Sequence, residues 1–401
     1  MSESSPGLPL AGTRVLAVEQ YGAGPFGTMF LSDQGAEVIK IENPHDGGDM
    51  ARGVGPHFFG PRDSHFFHAF NRNKRSITLD LSKPKGQSLL KDLVGKADAL
   101  TSNLRGDVPE KLGLTYATLG QANPRIVCAH LSAYGRTGPR AAWPGYDYLM
   151  QAEAGYFSLT GDVDGPPNRF GLSMVDLMTG LGLAYATVSA LQAARTTGIG
   201  RDIDVSLFDM ALFNLGYLAN WYLNCDVNTT RLPRSAHPSL TPCQLYRTRD
   251  DWIYIMCNKE KFWAVLCNEI GRPEWVEDAR FKTFADRLEH RDLITELLDE
   301  VFSEADTATW LAQFGGRGPA APIYDVAQAL DNPFVTEHGR LQTLTHASGE
   351  PYRMVSPPIH TQGVEALNEP APDLGADTDA VLSELGLSSA ELQGLREDGV
   401  I

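Results

Sequence analysis

Residues 15–44, VLAVEQYGAGPFGTMFLSDQGAEVIKIENP, decide the fold. The apolar run over 15–18 predicts a strand, and Gly22, Gly24 and Gly27 predict a tight turn that opens a helix over 27–34. A second strand over 37–41 then ends at Glu42. Strand, G-x-G-x-x-G and an acid about 20 residues on spell the dinucleotide-binding fingerprint. The same glycines also suit any strand-to-helix turn that needs small residues. Pro25 removes one amide donor from the loop, and no later segment pairs a histidine with a carboxylate as a hydride-transfer site would. The stretch therefore predicts a Rossmann-type first domain and leaves its ligand open.

Outward from this unit, strands are predicted over 76–80, 99–102 and 126–131, with helices over 86–96 and 115–122 between them. Such alternation predicts a parallel sheet covered by helices, an α/β class. A long apolar helix over 177–195, a strand over 202–206 and a helix over 207–220 continue the pattern. The character changes at CDVNTTRLPRSAHPSLTPCQ (225–244), which is polar and proline-bearing. A hairpin in LYRTRDDWIYIMC (245–257) and amphipathic helices in KEKFWAVLCNEIG (259–271) and RLEHRDLITELLDEVFSEA (287–305) follow. We divide the chain into 1–224, the first part of a large domain, 225–325, a smaller α+β domain, and 326–401, a return to the large domain with a tail. The tail predicts two short helices split at Gly386, with Ser388 capping the second.

The 401 residues are 42% hydrophobic and 21% charged, an ordinary globular composition. A net charge of −16 argues against nucleic acid as a partner, because phosphate backbones need a basic surface. Cys128, Cys225, Cys243, Cys257 and Cys267 are scattered without C-x-x-C or zinc spacing, which predicts buried reduced thiols and no metal. The first residues contain no apolar signal core, and residues 177–194 carry interrupting Thr, Ser and Gln. The expectation is a cytoplasmic protein with no membrane span.

Several stretches favour a phosphate-bearing ligand at the strand ends. FNRNKRSITLDL (70–81) clusters Arg72, Lys74 and Arg75 before a strand, and SNLRGDVPEKLGL (102–114) places Asn103, Arg105 and Lys111 after one. Open α/β sheets bind ligands at that edge. Residues 133–182 are dense in Gly, Pro and aromatics, a composition suited to building a pocket. Within them Asp176 precedes the apolar helix, where it reads either as an N-cap or as a carboxylate nucleophile with helix N–H groups beside it.

The segments AGPFGTMFLSDQGAEVIKIENP, NRNKRSITLDL, ADALTSNLR, PRIVCAHLSAYGRTGP, GYDYLMQAEAGYFSLTG, DGPPNRFGLSMVDLMTG, HPSLTPCQ and ELGLSSAELQGLREDGVI occur in one order along the chain. In these the chain resembles the class III CoA-transferases, the CaiB/BaiF family, over essentially its full length. The resemblance implies a Rossmann-type large domain built from both chain ends, an inserted small domain and an interlocked-ring homodimer. It implies coenzyme A and acyl-CoA as substrates, a small carboxylic acid as acceptor, and no tightly bound cofactor. The fingerprint-like turn would then serve CoA and not NAD.

By the resemblance the catalytic aspartate falls on Asp176, which would form an aspartyl anhydride and then an aspartyl-CoA thioester. CoA contacts fall on Gly22, Ala23, Asn43, Arg75, Leu79, Asn103, Leu104 and Lys111, with Gly22 and Asn43 departing from residues that some relatives carry. Tyr146 and Asp147 would face the acyl group. Arg169, or Arg140, is the residue expected to pair with the far carboxylate of a dicarboxylate such as succinate. The alternative within the fold is an alpha-methylacyl-CoA racemase, which needs two opposed acid/base groups. Where racemases carry a His and a Glu, this chain has Tyr146 and Lys259, which favours transfer.

Overall fold

The computed structural model describes residues 7–401. Six strands form one parallel sheet: β1 (Arg14–Val18), β2 (Glu37–Glu42), β3 (Lys74–Thr78), β4 (Ala99–Ser102), β5 (Val127–Ser132) and β6 (Arg201–Ser206). Their order is β3-β2-β1-β4-β5-β6, so the direction of winding reverses between β1 and β4. The expected α/β fold with a parallel central sheet is present. β3 begins two residues earlier than predicted, because Lys74 and Arg75 already pair with Val38 and Ile39 of β2.

Alternation along β1 divides the core. Val15 and Ala17 pack on one face with Leu31 of α1 (Ala23–Asp33) and with Ala184, Ala190 and Leu191 of a long helix, α5 below. Leu16 and Val18 pack on the other, with Leu89, Leu90 and Leu93 of a helix over Pro84–Val94. Val381, Leu382, Leu392 and Leu395, from helices near the chain's far end, complete that second face. The last helix, Ser389–Glu397, has the predicted cap: Ser388 Oγ accepts from Glu391 N–H while the Glu391 carboxylate accepts from Ser388 N–H.

Helices α2 (His65–Asn71), α3 (Pro84–Val94), α4 (Asp147–Glu153) and α5 (Met174–Thr197) follow in order. α5 is long and apolar enough to cross a membrane by length and composition, yet its buried side packs against the sheet. It starts three residues before the predicted point, with Ser173 at its N-cap. Asp176 therefore lies inside the first turn and is not the cap. The helix expected over 207–220 ends at Asn214, and a second helix, Tyr217–Cys225, begins after Gly216, whose φ is +55°.

The chain divides into two compact units: residues up to 154 with 171–216 and 339–401, and residues 155–170 with 217–338. The second has its own core. Strands Cys243–Arg247, Trp252–Met256 and Ala320–Pro322 form an antiparallel sheet, the first two as the predicted hairpin. Tyr246, Ile253, Trp263, Phe281, Leu298 and Phe302 pack against it.

Candidate active site

Two glycines set the geometry. Gly27 in α1 and Gly180 in α5 face each other so closely that a Cβ on Gly27 would lie 2.4 Å from the Gly180 carbonyl oxygen. A Cβ on Gly180 would lie equally close, 2.4 Å, to the Ala23 carbonyl oxygen. Only residues without a Cβ permit this contact. It seats the first turn of α5 beside the turn that leaves β1. There Asp176 is 9% exposed, and a Cβ on Gly22 would lie 3.0 Å from its Oδ2. A Cβ on Gly24 would meet the Asn103 side chain at 2.8 Å. Each glycine of the opening motif thus has a neighbour within the protein.

Two side chains fix the surroundings. Asn103, after β4, accepts the Gln20 N–H on Oδ1 at 2.9 Å and donates from Nδ2 to the Gln20 carbonyl at 2.7 Å. Asp147, the first residue of α4, accepts the Asp176 N–H on Oδ2 at 2.9 Å and the Gln151 side-chain amide on Oδ1 at 2.6 Å. Burial first, and then the like charge of Asp147, raise the Asp176 carboxyl to about 7. A carboxylate with such a value is more basic, and a better nucleophile once ionised, than one in water.

A cleft of about 440 Å³ opens over Asp176. It lies beyond the carboxyl ends of β1 and β4, where the strand order reverses, the place where open α/β sheets bind ligands. Gly22, Ala23, Asn103, Leu104 and Tyr146 line it. A second cleft of about 570 Å³ shares Gln20, Met50 and Leu104 with the first and is lined by Asn43 and Leu79. Six of the expected CoA contacts therefore border two adjoining clefts. Lys111 is exposed and paired with Asp107, next to Leu112 of the second cleft.

Other predicted residues lie elsewhere. Arg75 points to the amino ends of the strands, where it pairs with Glu37, Asp377 and Glu384. Being the second residue of β3, it starts the strand instead of ending it. Tyr146 is exposed and lines the cleft, whereas buried Asp147 is turned inward to the two amides above. Arg169 belongs to the second unit and donates to the Phe170 carbonyl at 3.1 Å. Arg140 pairs with Glu153 and lies over the Tyr134 and Trp143 rings. Four cysteines are buried as expected, and Cys225 is exposed.

Two further constellations do not read as active sites. Ser102, His130 and Asp202 form a hydrogen-bonded chain that looks like a hydrolase triad. Ser102 is 0% exposed, so its hydroxyl meets no substrate. Among the described residues, Asp63, His68 and His346 bring potential metal-ligand atoms within 4.8 Å of one another. The Ser348 N–H donates to His346 Nδ1 at 3.1 Å, which puts the ring proton on Nε2, 2.7 Å from Asp63. That tautomer leaves Nε2 without the lone pair a metal would need, and its N–H makes no aligned hydrogen bond to the carboxylate.

The fold and the site define an α/β enzyme that holds a buried carboxylate at the switch point of its parallel sheet. The chain belongs to CoA-transferase family III, whose model matches residues 10–378, and it is a CoA-transferase. Such enzymes take CoA thioesters as substrates. It is 32% identical over 391 residues to the succinate–glutarate CoA-transferase of Agrobacterium fabrum, covering 94% of this chain and 96% of that protein. It is 37% identical over 341 residues to the acetyl-CoA:oxalate CoA-transferase of Acetobacter aceti, covering 83% and 86%. The crystal structure of a CaiB/BaiF family protein from Brucella suis superposes with a TM-score of 0.80 at 33% identity, covering 95% of this chain and 100% of that one.

The sequence singled out Asp176 and, in the cleft over it, Gly22, Ala23, Asn103, Leu104 and Tyr146. It assigned nothing to Gly180 or Asp49. Gly180 was legible only as a glycine four residues after Asp176, one turn along the same helix face.

Proposed function

We propose that the enzyme moves CoA from a dicarboxylyl-CoA donor, succinyl-CoA or a close analogue, to a carboxylic acid acceptor through covalent intermediates on Asp176. The observation that carries this reading is a buried carboxylate, raised to about 7, at the floor of a cleft at the sheet's switch point. Asp176 attacks the donor thioester carbonyl, giving a mixed anhydride and CoA thiolate. The thiolate attacks the aspartyl carbonyl, releasing the donor acid and leaving an aspartyl-CoA thioester. The acceptor carboxylate attacks that thioester, freeing CoA thiolate and forming a second anhydride. The thiolate takes the acceptor's acyl group, and Asp176 returns as a carboxylate. Acyl groups on a carboxylate stay close in energy to thioesters, so no step falls into a sink. Burial around Asp176 keeps competing water out.

The relatives named for succinate, glutarate and oxalate support a dicarboxylate as acceptor. CoA would lie along the two clefts, with its acyl end over Asp176. An interlocked homodimer would cover Leu181, Tyr185 and Val188, which form an exposed apolar row on α5, and Phe213, which is 82% exposed. Free cysteines and an acidic surface suit a cytoplasmic enzyme of small metabolites.

The test is intact-protein mass after incubation with succinyl-CoA, with hydroxylamine or borohydride trapping. A covalent adduct mapped to Asp176 and absent from Asp176→Ala supports the reading. No adduct with any of a panel of acyl-CoA donors, together with alpha-proton exchange in deuterated water, would overturn the covalent role and leave Asp176 an acid/base group.

A further inference from the structure

The turn that touches Asp176 contains a backbone outlier. Tyr21 has φ +71°, in the left-handed region that bulky residues avoid. Such a conformation persists only where its surroundings over-determine it. Here the surroundings are specific. The Tyr21 N–H donates to Asp49 Oδ1 at 2.9 Å, and the Ala51 N–H donates to the same oxygen at 2.8 Å. Asp49 Oδ2 lies 2.8 Å from Lys40 Nζ, and both side chains are 0% exposed. Lys40 also donates to the Glu19 carbonyl at 3.0 Å. Asp49 and Lys40 thus hold the turn at Tyr21 and at Glu19, while Asn103 holds it at Gln20. The next residue is Gly22, where an added Cβ would lie 3.0 Å from Asp176 Oδ2.

We propose that Asp49, charge-paired with Lys40, is a positioning residue that locks Tyr21 in its left-handed conformation and so keeps Gly22 against the Asp176 carboxylate. Burying two opposite charges for ordinary stability is poor design, since an apolar pair of the same volume does as well. Fixing one strained turn beside a reacting group is a task that needs the hydrogen-bonding geometry. Asp49 does not touch substrate in this assignment. It acts through the backbone, by excluding water from Asp176. Lys40 is the cation in contact with it, with Glu19, Glu42, Arg52 and Lys74 completing the buried charge cluster around the pair. Asp147 is the charged group whose field reaches Asp176.

The consequence for turnover rests on Asp176 as nucleophile, so the primary measurement does not use the reaction. Carbodiimide couples to protonated carboxyls, and its labelling of Asp176 is followed against pH by peptide mass spectrometry. In the unaltered protein half-labelling is expected at about pH 7. In Asp49→Ala the midpoint should fall by about one pH unit as water reaches the carboxylate. Turnover should fall by about 100-fold, with a smaller change in KM, as for a small misplacement of a reacting group. Leu119→Ala, a core truncation in the same unit, should lower Tm and leave the midpoint in place. An Asp49→Ala midpoint that moves no further than that of Leu119→Ala overturns the assignment. If Asp49→Ala does not fold, the triple variant with Lys40→Met, which removes the cation left unpaired, and Tyr21→Gly decides. Glycine takes the left-handed conformation unaided, so recovery of folded protein with the native midpoint supports the assignment, and failure to recover contradicts it. A shifted midpoint in a protein that turns over no acyl-CoA would keep the positioning role and discard the reaction.

Discussion

Gly27 lies against Gly180 with no room for a side chain on either, and this contact seats Asp176 at the turn after β1. The motif that reads as a cradle for phosphate is thus also a helix-to-helix joint. Gly22 leaves room for the carboxylate, Gly24 for Asn103 and Gly27 for α5.

Gly180→Ala should therefore be costly. The new Cβ would press on backbone at 2.4 Å, which no rotamer change relieves. Overpacking of this kind costs about 1–3 kcal/mol. Chemical denaturation should show that loss, and turnover should fall further than the loss of folded protein explains, because α5 carries Asp176 with it.

Gly22→Ala separates chemistry from stability. Its Cβ would sit 3.0 Å from Asp176 Oδ2, against the tip of one side chain and no backbone. We expect a Tm within a few degrees of the parent and kcat reduced by about tenfold or more, since the nucleophile is displaced by tenths of an ångström. Steady-state kinetics with thermal unfolding on the same samples checks it.

The raised Asp176 carboxyl has opposite effects on activity and stability. Turnover needs the carboxylate, so the rate should rise with pH through about 7 and level off above it. For stability, the folded value lies above the unfolded value of 3.8, so the folded state binds the extra proton between them. Stability contributed by that proton is present at low pH and fades as pH rises through about 7. Asp176→Asn removes this dependence. It should match the parent at pH near 4 and exceed it at pH 8, by about 2–4 kcal/mol at one pH unit per 1.4 kcal/mol. Equal stabilities of the two proteins at both pH values would refute the assigned burial.

Asp147→Asn keeps an oxygen for the Asp176 N–H and removes the second charge. The Asp176 midpoint should move to lower pH, because the like charge that helped to raise it is gone. The acid limb of the rate profile reports this directly.

Arg75→Ala distinguishes two accounts of one residue. As a CoA contact it would raise KM for the thioester. In the structure Arg75 joins Glu37, Asp377 and Glu384 at the strands' amino ends. We expect a stability loss of about 1 kcal/mol for a half-exposed ion network and an unchanged KM.

Much of this was legible in sequence because it follows from periodicity and turn chemistry. The central strands β1 and β5 are mostly buried apolar residues, and the cap at Ser388 is local. Asp176 came through the SMVDLMTG segment, but its place in the helix did not. The sequence put the start of α5 after it, since Asp176 reads as a good N-cap, whereas the helix is capped at Ser173, whose side chain makes no capping hydrogen bond. Arg75 is a different case. The residues set it just before β3, at the strand's amino end, and the structure keeps it at that end, paired with Glu37, Asp377 and Glu384. Its role as a CoA contact came only through the NRNKRSITLDL resemblance. Asp49 was invisible because its role depends on Tyr21 and Lys40, which lie 28 residues before it in one case and on a neighbouring strand in the other.

One face of the sheet is finished by Val381, Leu382, Leu392 and Leu395, which follow the second unit in the chain. A ribosome delivers all six parallel strands by residue 206 and then spends about 120 residues, 217–338, on the second unit before it returns. Throughout that interval Leu16, Ile39 and Ile77 have Leu89, Leu90 and Leu93 beside them but lack the part of their cover that comes from the two late helices. Synthesis therefore exposes an apolar sheet for as long as elongation takes, and yield on expression should follow chaperone supply and temperature more than the stability of the finished enzyme.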